Sequence, residues 1–143
     1  MSETGRNFIA GSWCDGHNNV ENINPSDIRD VIGIYAQADR AQLDTALDAA
    51  MNAQKKWAKT GLEARQTILM GIGNELIKRR IELGTLLSRE EGKPLAEGVG
   101  EVFRAGQFFT YYAAEVLRQI GDTADSVRDG VEIDVRREPI GVV

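Results

Sequence analysis

Thiols and imidazoles are nearly missing from this chain: Cys14 and His17 are the single cysteine and the single histidine among 143 residues. One thiol cannot close an internal disulfide, and one Cys with one His cannot complete a zinc site, so no metal centre is expected. A nucleophilic Cys14 would need a base or a positive field beside it. It stands instead next to Asp15 in a predicted hairpin, and an inert thiol is expected. His17 is expected in a surface loop. Basic clusters are missing too. A net charge of -5 without a Lys/Arg cluster argues against nucleic-acid binding. No apolar run approaches membrane-spanning length, so no membrane partner is expected. The polar start, Met1-Ser2-Glu3-Thr4-Gly5-Arg6-Asn7, lacks the apolar stretch of a secretory signal. A reducing cytoplasm is the expected setting. Internal repeats and low-complexity segments are absent. So is a complete dinucleotide fingerprint: Gly71-Ile72-Gly73 and Gly98-Val99-Gly100 lack the full spacing, and neither lies between a strand and a helix.

What is present suits a soluble globular protein. The chain is 42% hydrophobic and 27% charged, and its length allows one domain with a real core. The first part is β-like. Phe8-Ile9-Ala10, a turn at Gly11-Ser12, and Trp13 read as a tight hairpin. Residues 20–23 form a second short run, closed by the turn cluster Asn24-Pro25-Ser26-Asp27, and residues 31–35 form another strand.

Helices then dominate. Asp39, with Gln42 three residues on, predicts an N-cap, followed by Leu43, Ala46, Leu47, Ala50 and Met51 at helical spacing. Thr60-Gly61-Leu62-Glu63 predicts a capping box for the next helix, in which Gly71 and Gly73 each cost about 1 kcal/mol. A shorter helix carries Leu83, Leu86 and Leu87 and stops at Gly92 before Pro94. The longest helix is predicted over 95–120. Its apolar seam is Leu95, Val99, Val102, Gly106, Phe109, Ala113, Val116 and Ile120, in alternating steps of four and three. Strict alternation over 131–136 predicts a strand with one wet face. It is joined through Asp129-Gly130 to a partner near 124–128. The closing Pro139-Ile140-Gly141-Val142-Val143 reads as the start of a core strand. Such a strand needs neighbours on both sides, so the chain reads as the front of a longer protein.

One column of the long helix mixes residue types that a plain surface does not. Gly100, Arg104, Gln107, Phe108 and Tyr111 combine a small residue, a cation, an amide and two aromatics. They can line a polar pocket with an anion anchor. The competing reading is a solvated Arg104 beside aromatic packing, with Glu101 or Glu97 as an optional ion-pair partner. Glu90, Glu91, Glu97 and Glu101 read as a solvated helix face.

Taken in order, several segments resemble the aldehyde dehydrogenases. They are Asn7-Phe8-Ile9-Ala10-Gly11-Ser12-Trp13, Ile23-Asn24-Pro25-Ser26 with Val31-Ile32-Gly33, and Ala46-Leu47-Asp48-Ala49-Ala50 running to Trp57. Arg65, Glu91-Gly92-Lys93-Pro94, Tyr111-Tyr112-Ala113 and Arg137-Glu138-Pro139-Ile140-Gly141-Val142-Val143 follow. The segment Glu101-Val102-Phe103-Arg104-Ala105-Gly106-Gln107-Phe108-Phe109-Thr110-Tyr111-Tyr112 looks most like the α-ketoglutaric semialdehyde dehydrogenases.

The resemblance implies an α/β fold, the N-terminal part of the aldehyde dehydrogenase architecture. Residues 1–122 would be strands and helices of the cofactor domain, 123–138 an oligomerisation hairpin, and 139–143 the first strand of a Rossmann-like sheet. In the family a cysteine attacks the aldehyde, a hydride passes to NAD or NADP, and a glutamate helps water release the acid. Residues for these steps, and those that hold the cofactor, would lie beyond the end of this chain, and Cys14 does not match the nucleophile. The helix matching 95–120 lines the family's substrate tunnel. On that basis Gly100, Arg104 and Phe108 are the expected tunnel residues, and a cation at 104 suits an acidic semialdehyde such as 2,5-dioxopentanoate. The expected partners are that small aldehyde and further copies of the protein, joined through 123–138. A reading of another class stands beside this one: a non-catalytic helical interaction module, or a gene remnant that binds an intact paralogue. A reading frame continuing past Val143 favours the enzyme, and a stop codon there favours the remnant.

Overall fold

The computed structural model describes residues 4–118 and 120–143. A short strand β1 (Thr4–Gly5) runs parallel to β5 (Val31–Gln37), whose other edge pairs antiparallel with β4 (Asn18–Ile23). Between them β2 (Asn7–Ile9) and β3 (Ser12–Cys14) form a separate hairpin. The two residues joining these strands are Ala10 and Gly11, with φ of 53° and 83°. A tight hairpin turn requires this positive pair. The turn thus falls one residue earlier than Gly11-Ser12. Ser12 joins the ladder opposite Ile9, and Phe8 meets Trp13 with ring centroids 5.0 Å apart.

Helix α1 (Arg40–Trp57) starts where Asp39 Oδ1 accepts a bond from the Gln42 backbone N–H at 2.8 Å, as the sequence predicts. The next cap differs from expectation. Helix α2 (Leu62–Lys78) begins at Gly61 with no side-chain cap, because Thr60 Oγ1 donates back to the Lys56 carbonyl instead. Arg65 ties the two helices together. Its guanidinium donates to the Ala58 carbonyl at 2.9 Å and lies 5.9 Å from the Trp57 ring centroid. Helix α3 (Arg80–Glu91) stops at Gly92, whose φ of 71° is the left-handed C-terminal cap.

Helix α4 (Leu95–Glu115) lies across α2 and α3 and gives the fold its core. It ends five residues before the predicted 120. The chain tightens into a 3₁₀ turn over Val116–Arg118, and Ile120 N–H donates to the Arg118 carbonyl. The predicted seam is buried at Val102, Gly106 and Ala113, but Leu95 and Ile120 are exposed. Val99 is half-buried against Gly84, and Gly98 beside it is buried, because backbones meet there. A Cβ on Gly98 would lie 2.5 Å from the Gly84 carbonyl oxygen. The α2–α4 crossing is built the same way, with a Cβ on Gly73 falling 2.8 Å from the Gly106 carbonyl oxygen.

The two glycines of α2 therefore differ in kind, since a Cβ on Gly71 would meet nothing within 4 Å. Gly71→Ala should stabilise the chain by about 0.5–1 kcal/mol through helix propensity. Gly73→Ala should destabilise it by about 1–3 kcal/mol through overpacking. Urea titrations of the helical circular-dichroism signal check the pair, and shifts of the same sign would contradict this account of the crossing.

Strands β6 (Asp122–Asp125) and β7 (Glu132–Val135) form an antiparallel hairpin that is exposed at every position and packs mainly on itself. Asp125 pairs with Glu132, so the connection spans 126–131 and is wider than a turn at Asp129-Gly130. Residues 139–143 carry no strand, and Ile140 is 91% exposed. A strand is stabilised by its ladder, and no partner lies beside this segment among the described residues.

Candidate functional site

The crossings of α4 decide which of its faces stays open. Val102 and Gly106 are turned into the core, and Arg104 lies about 200° round from either. On that outer face an open depression of ≈ 560 Å³ is lined by Arg104, Gln107, Phe108, Thr110, Tyr111 and Tyr112. The tyrosine rings meet edge to face, 5.2 Å apart at 87°. Thr110 Oγ1 donates to the Gln107 carbonyl at 3.0 Å. Arg104, Gln107, Phe108 and Tyr111, which the helical column places together, share this depression. Gly100 is on the same helix but outside the lining, and a Cβ there would meet only open space.

Arg104 is exposed beside the rings, and neither Glu101 nor Glu97 pairs with it among the described residues. Glu101 is held by Lys93 Nζ at 2.6 Å, and the same ammonium pairs with Glu91. Hydrogen bonds first to Glu101 and then to Glu91 raise the Lys93 pKa. Among the described residues Arg104 makes no ion pair and no side-chain hydrogen bond. The depression thus presents one uncommitted guanidinium, aromatic walls and no carboxylate.

Glu90, Glu91, Glu97 and Glu101 are all exposed, as a solvated helix face would be, and Glu90 also makes a contact across elements. Glu90 Oε1 accepts from Asn22 Nδ2 at 2.7 Å, which ties β4 to α3. Sequence patterning did not reveal the main brace. Arg89 grips Asp30 through two bonds, 2.9 and 2.6 Å, and Asn24 Nδ2 donates to the same carboxylate. No local signal links residues this far apart in the chain. The Arg89 bonds, and then Asn24, hold the Asp30 carboxyl down from 3.8 to about 2. A depressed carboxyl favours the folded state above the unfolded value and loses that contribution as pH falls through the folded one. The stability gap between the protein and its Asp30→Asn variant should be full above pH 3.8 and close as pH falls toward about 2. Acid titration of both by circular dichroism measures this. A gap that persists unchanged at the acid end would mean the ion pair is not its source.

Cys14 is half-buried, its Sγ lies 3.6 Å from the Ser12 carbonyl, and it is not among the residues that line the depression. His17 is exposed just before β4, with its backbone N–H donating to the Gln37 carbonyl. The paired glycines are helical: Gly71 and Gly73 lie inside α2, Gly98 and Gly100 inside α4. The junction of β5 with α1 is capped by the carboxylate of Asp39, which would repel a phosphate. The described residues therefore do not fit a dinucleotide cradle.

Comparison with known proteins places the chain. Residues 13–143 match the Aldehyde dehydrogenase family, and the chain belongs to that family. It is 30% identical, over 99% of its length, to an alpha-ketoglutarate semialdehyde dehydrogenase of Haloferax volcanii. It is 32% identical, over 94% of its length, to a succinate-semialdehyde dehydrogenase [NADP(+)] of Escherichia coli strain K12. The chain spans 30% and 28% of those relatives' own lengths. Its fold matches that of a betaine aldehyde dehydrogenase from Staphylococcus aureus, solved in complex with NAD+. The TM-score is 0.86 at 25% identity, over 94% of this chain and 28% of that one.

Proposed function

We propose that this chain works within an NAD(P)-dependent aldehyde dehydrogenase that oxidises an acidic semialdehyde, 2,5-dioxopentanoate, to the dicarboxylic acid. Its own contribution is the mouth through which the substrate enters. The observation that carries the reading is the uncommitted Arg104 guanidinium in a depression walled by Phe108, Tyr111 and Tyr112 and free of carboxylates. A guanidinium fork binds a carboxylate through two parallel hydrogen bonds, which fixes the far end of the substrate. The rings cover the aliphatic middle, and Gly100, one turn earlier, leaves room beside it. The aldehyde end then points away from this chain, toward residues that supply the nucleophile, the base and the nicotinamide. NAD or NADP is held there and accepts the hydride. Oligomers form through the exposed β6–β7 hairpin, whose free edges suit pairing with a second copy. Residues 139–143 gain their ladder from the rest of the enzyme. The test is the specificity of the enzyme toward acidic and neutral aldehydes before and after replacement of Arg104. Loss confined to the acidic class supports the reading, and equal loss or no loss overturns it.

A further inference from the structure

The depression at Arg104 holds more donors than a carboxylate uses. Gln107 lies one turn further along α4, and its backbone carbonyl accepts from Thr110 Oγ1. Its side-chain amide has no hydrogen-bond partner among the described residues. No acid in the lining can accept from it, and Glu101, the acid just before Arg104 on this helix, is held by Lys93. In the open depression water solvates that amide. A ligand that displaces the water must supply an acceptor in its place, or binding is weakened by the lost bond.

Helix geometry says where the acceptor must sit. Gln107 is about 60° to one side of Arg104 and Phe108 about 40° to the other, so the column has one polar flank and one apolar flank. When both carboxylate oxygens are engaged by the guanidinium fork, a third oxygen close to the carboxylate is needed on the polar flank. A carbonyl on the adjacent carbon provides it. We infer that Gln107 is a specificity residue whose amide donates to the 2-oxo oxygen of a 2-oxo acid held by Arg104. The inference rests on the Arg104 reading above and adds to it the residue that reads the 2-oxo group of the proposed substrate.

The experiment compares 2,5-dioxopentanoate with 5-oxopentanoate, which has the same length and both end groups but no 2-oxo group. Both are measured with the dehydrogenase holoenzyme that carries this chain, as wild type, Gln107→Leu and Arg104→Met. Gln107→Leu should lower kcat/KM for 2,5-dioxopentanoate by about three- to tenfold, mainly through KM, the size of one hydrogen bond. It should leave 5-oxopentanoate within roughly twofold, since no bond is lost there. Equal falls for both substrates, or no fall for either, would overturn the inference. The Arg104→Met arm separates the two levels. If it harms both acids while Gln107→Leu harms neither, Gln107 is not a reader and the Arg104 reading stands. If Arg104→Met spares both acids, the reading beneath the inference fails with it.

Discussion

Arg104→Met is expected to lower kcat/KM for acidic semialdehydes by about tenfold to a hundredfold, and to spare or improve neutral aliphatic aldehydes. The size follows from the bonds removed. Charge-assisted hydrogen bonds contribute about 1.5–3 kcal/mol each, and a guanidinium fork offers two to a carboxylate. Arg104 is exposed, so water recovers part of this and the estimate falls below the pair's full worth. The direction for neutral substrates follows from desolvation. A guanidinium without an anion resists an apolar chain beside it, whereas methionine keeps the length of the side chain and removes the charge. Structural damage is not expected, because Arg104 makes no hydrogen bond or ion pair among the described residues and lies opposite the buried face of α4. Initial rates with acidic and neutral aldehydes of equal length measure the effect. A uniform fall would assign Arg104 to packing, and unchanged rates would assign it to the bare surface.

The chain on its own is expected to bind apolar dyes strongly and to self-associate. Helix α1 has no buried residue and rests on the remainder of the fold chiefly through β2. Its apolar stripe is open to solvent, with Leu43 48%, Leu47 46% and Met51 59% exposed. Phe8 and Trp13 on the neighbouring hairpin are each 62% exposed, and Phe108, Tyr111 and Tyr112 add a second patch on α4. Among the described residues no large side chain is fully buried. Burying a side chain of this size is worth about 1.5–3 kcal/mol, so association that covers several of them is strongly favourable. The unpaired edges of β6 and β7 give a second route to association. Fluorescence of an apolar dye and light scattering across a concentration series test this. A monomer that leaves the dye dark and melts sharply would sink the expectation.

Much of the fold was legible because the deciding interactions are local. Asp39 caps a residue three positions away, Gly92 terminates its own helix, and Phe8 faces Trp13 across a two-residue turn. The column of Arg104, Gln107, Phe108 and Tyr111 was legible for the same reason, since residues three and four apart share a helix face wherever the helix goes. Partnership across the chain was not legible. Periodicity could not show that Lys93 would claim Glu101 and leave Arg104 free, nor that Arg89 would reach Asp30. It counted Gly73 as a weakness of α2, whereas the crossing with Gly106 makes the missing side chain a requirement. The capping box at Thr60 matched its pattern, yet the hydroxyl found a nearer carbonyl. The sequence by itself determined the helices, the hairpins and the contents of each face, through interactions spanning a few residues. Only the tertiary structure decided which face of α4 stayed open and which charges were spent, because burial and pairing depend on elements that the chain brings together from far apart.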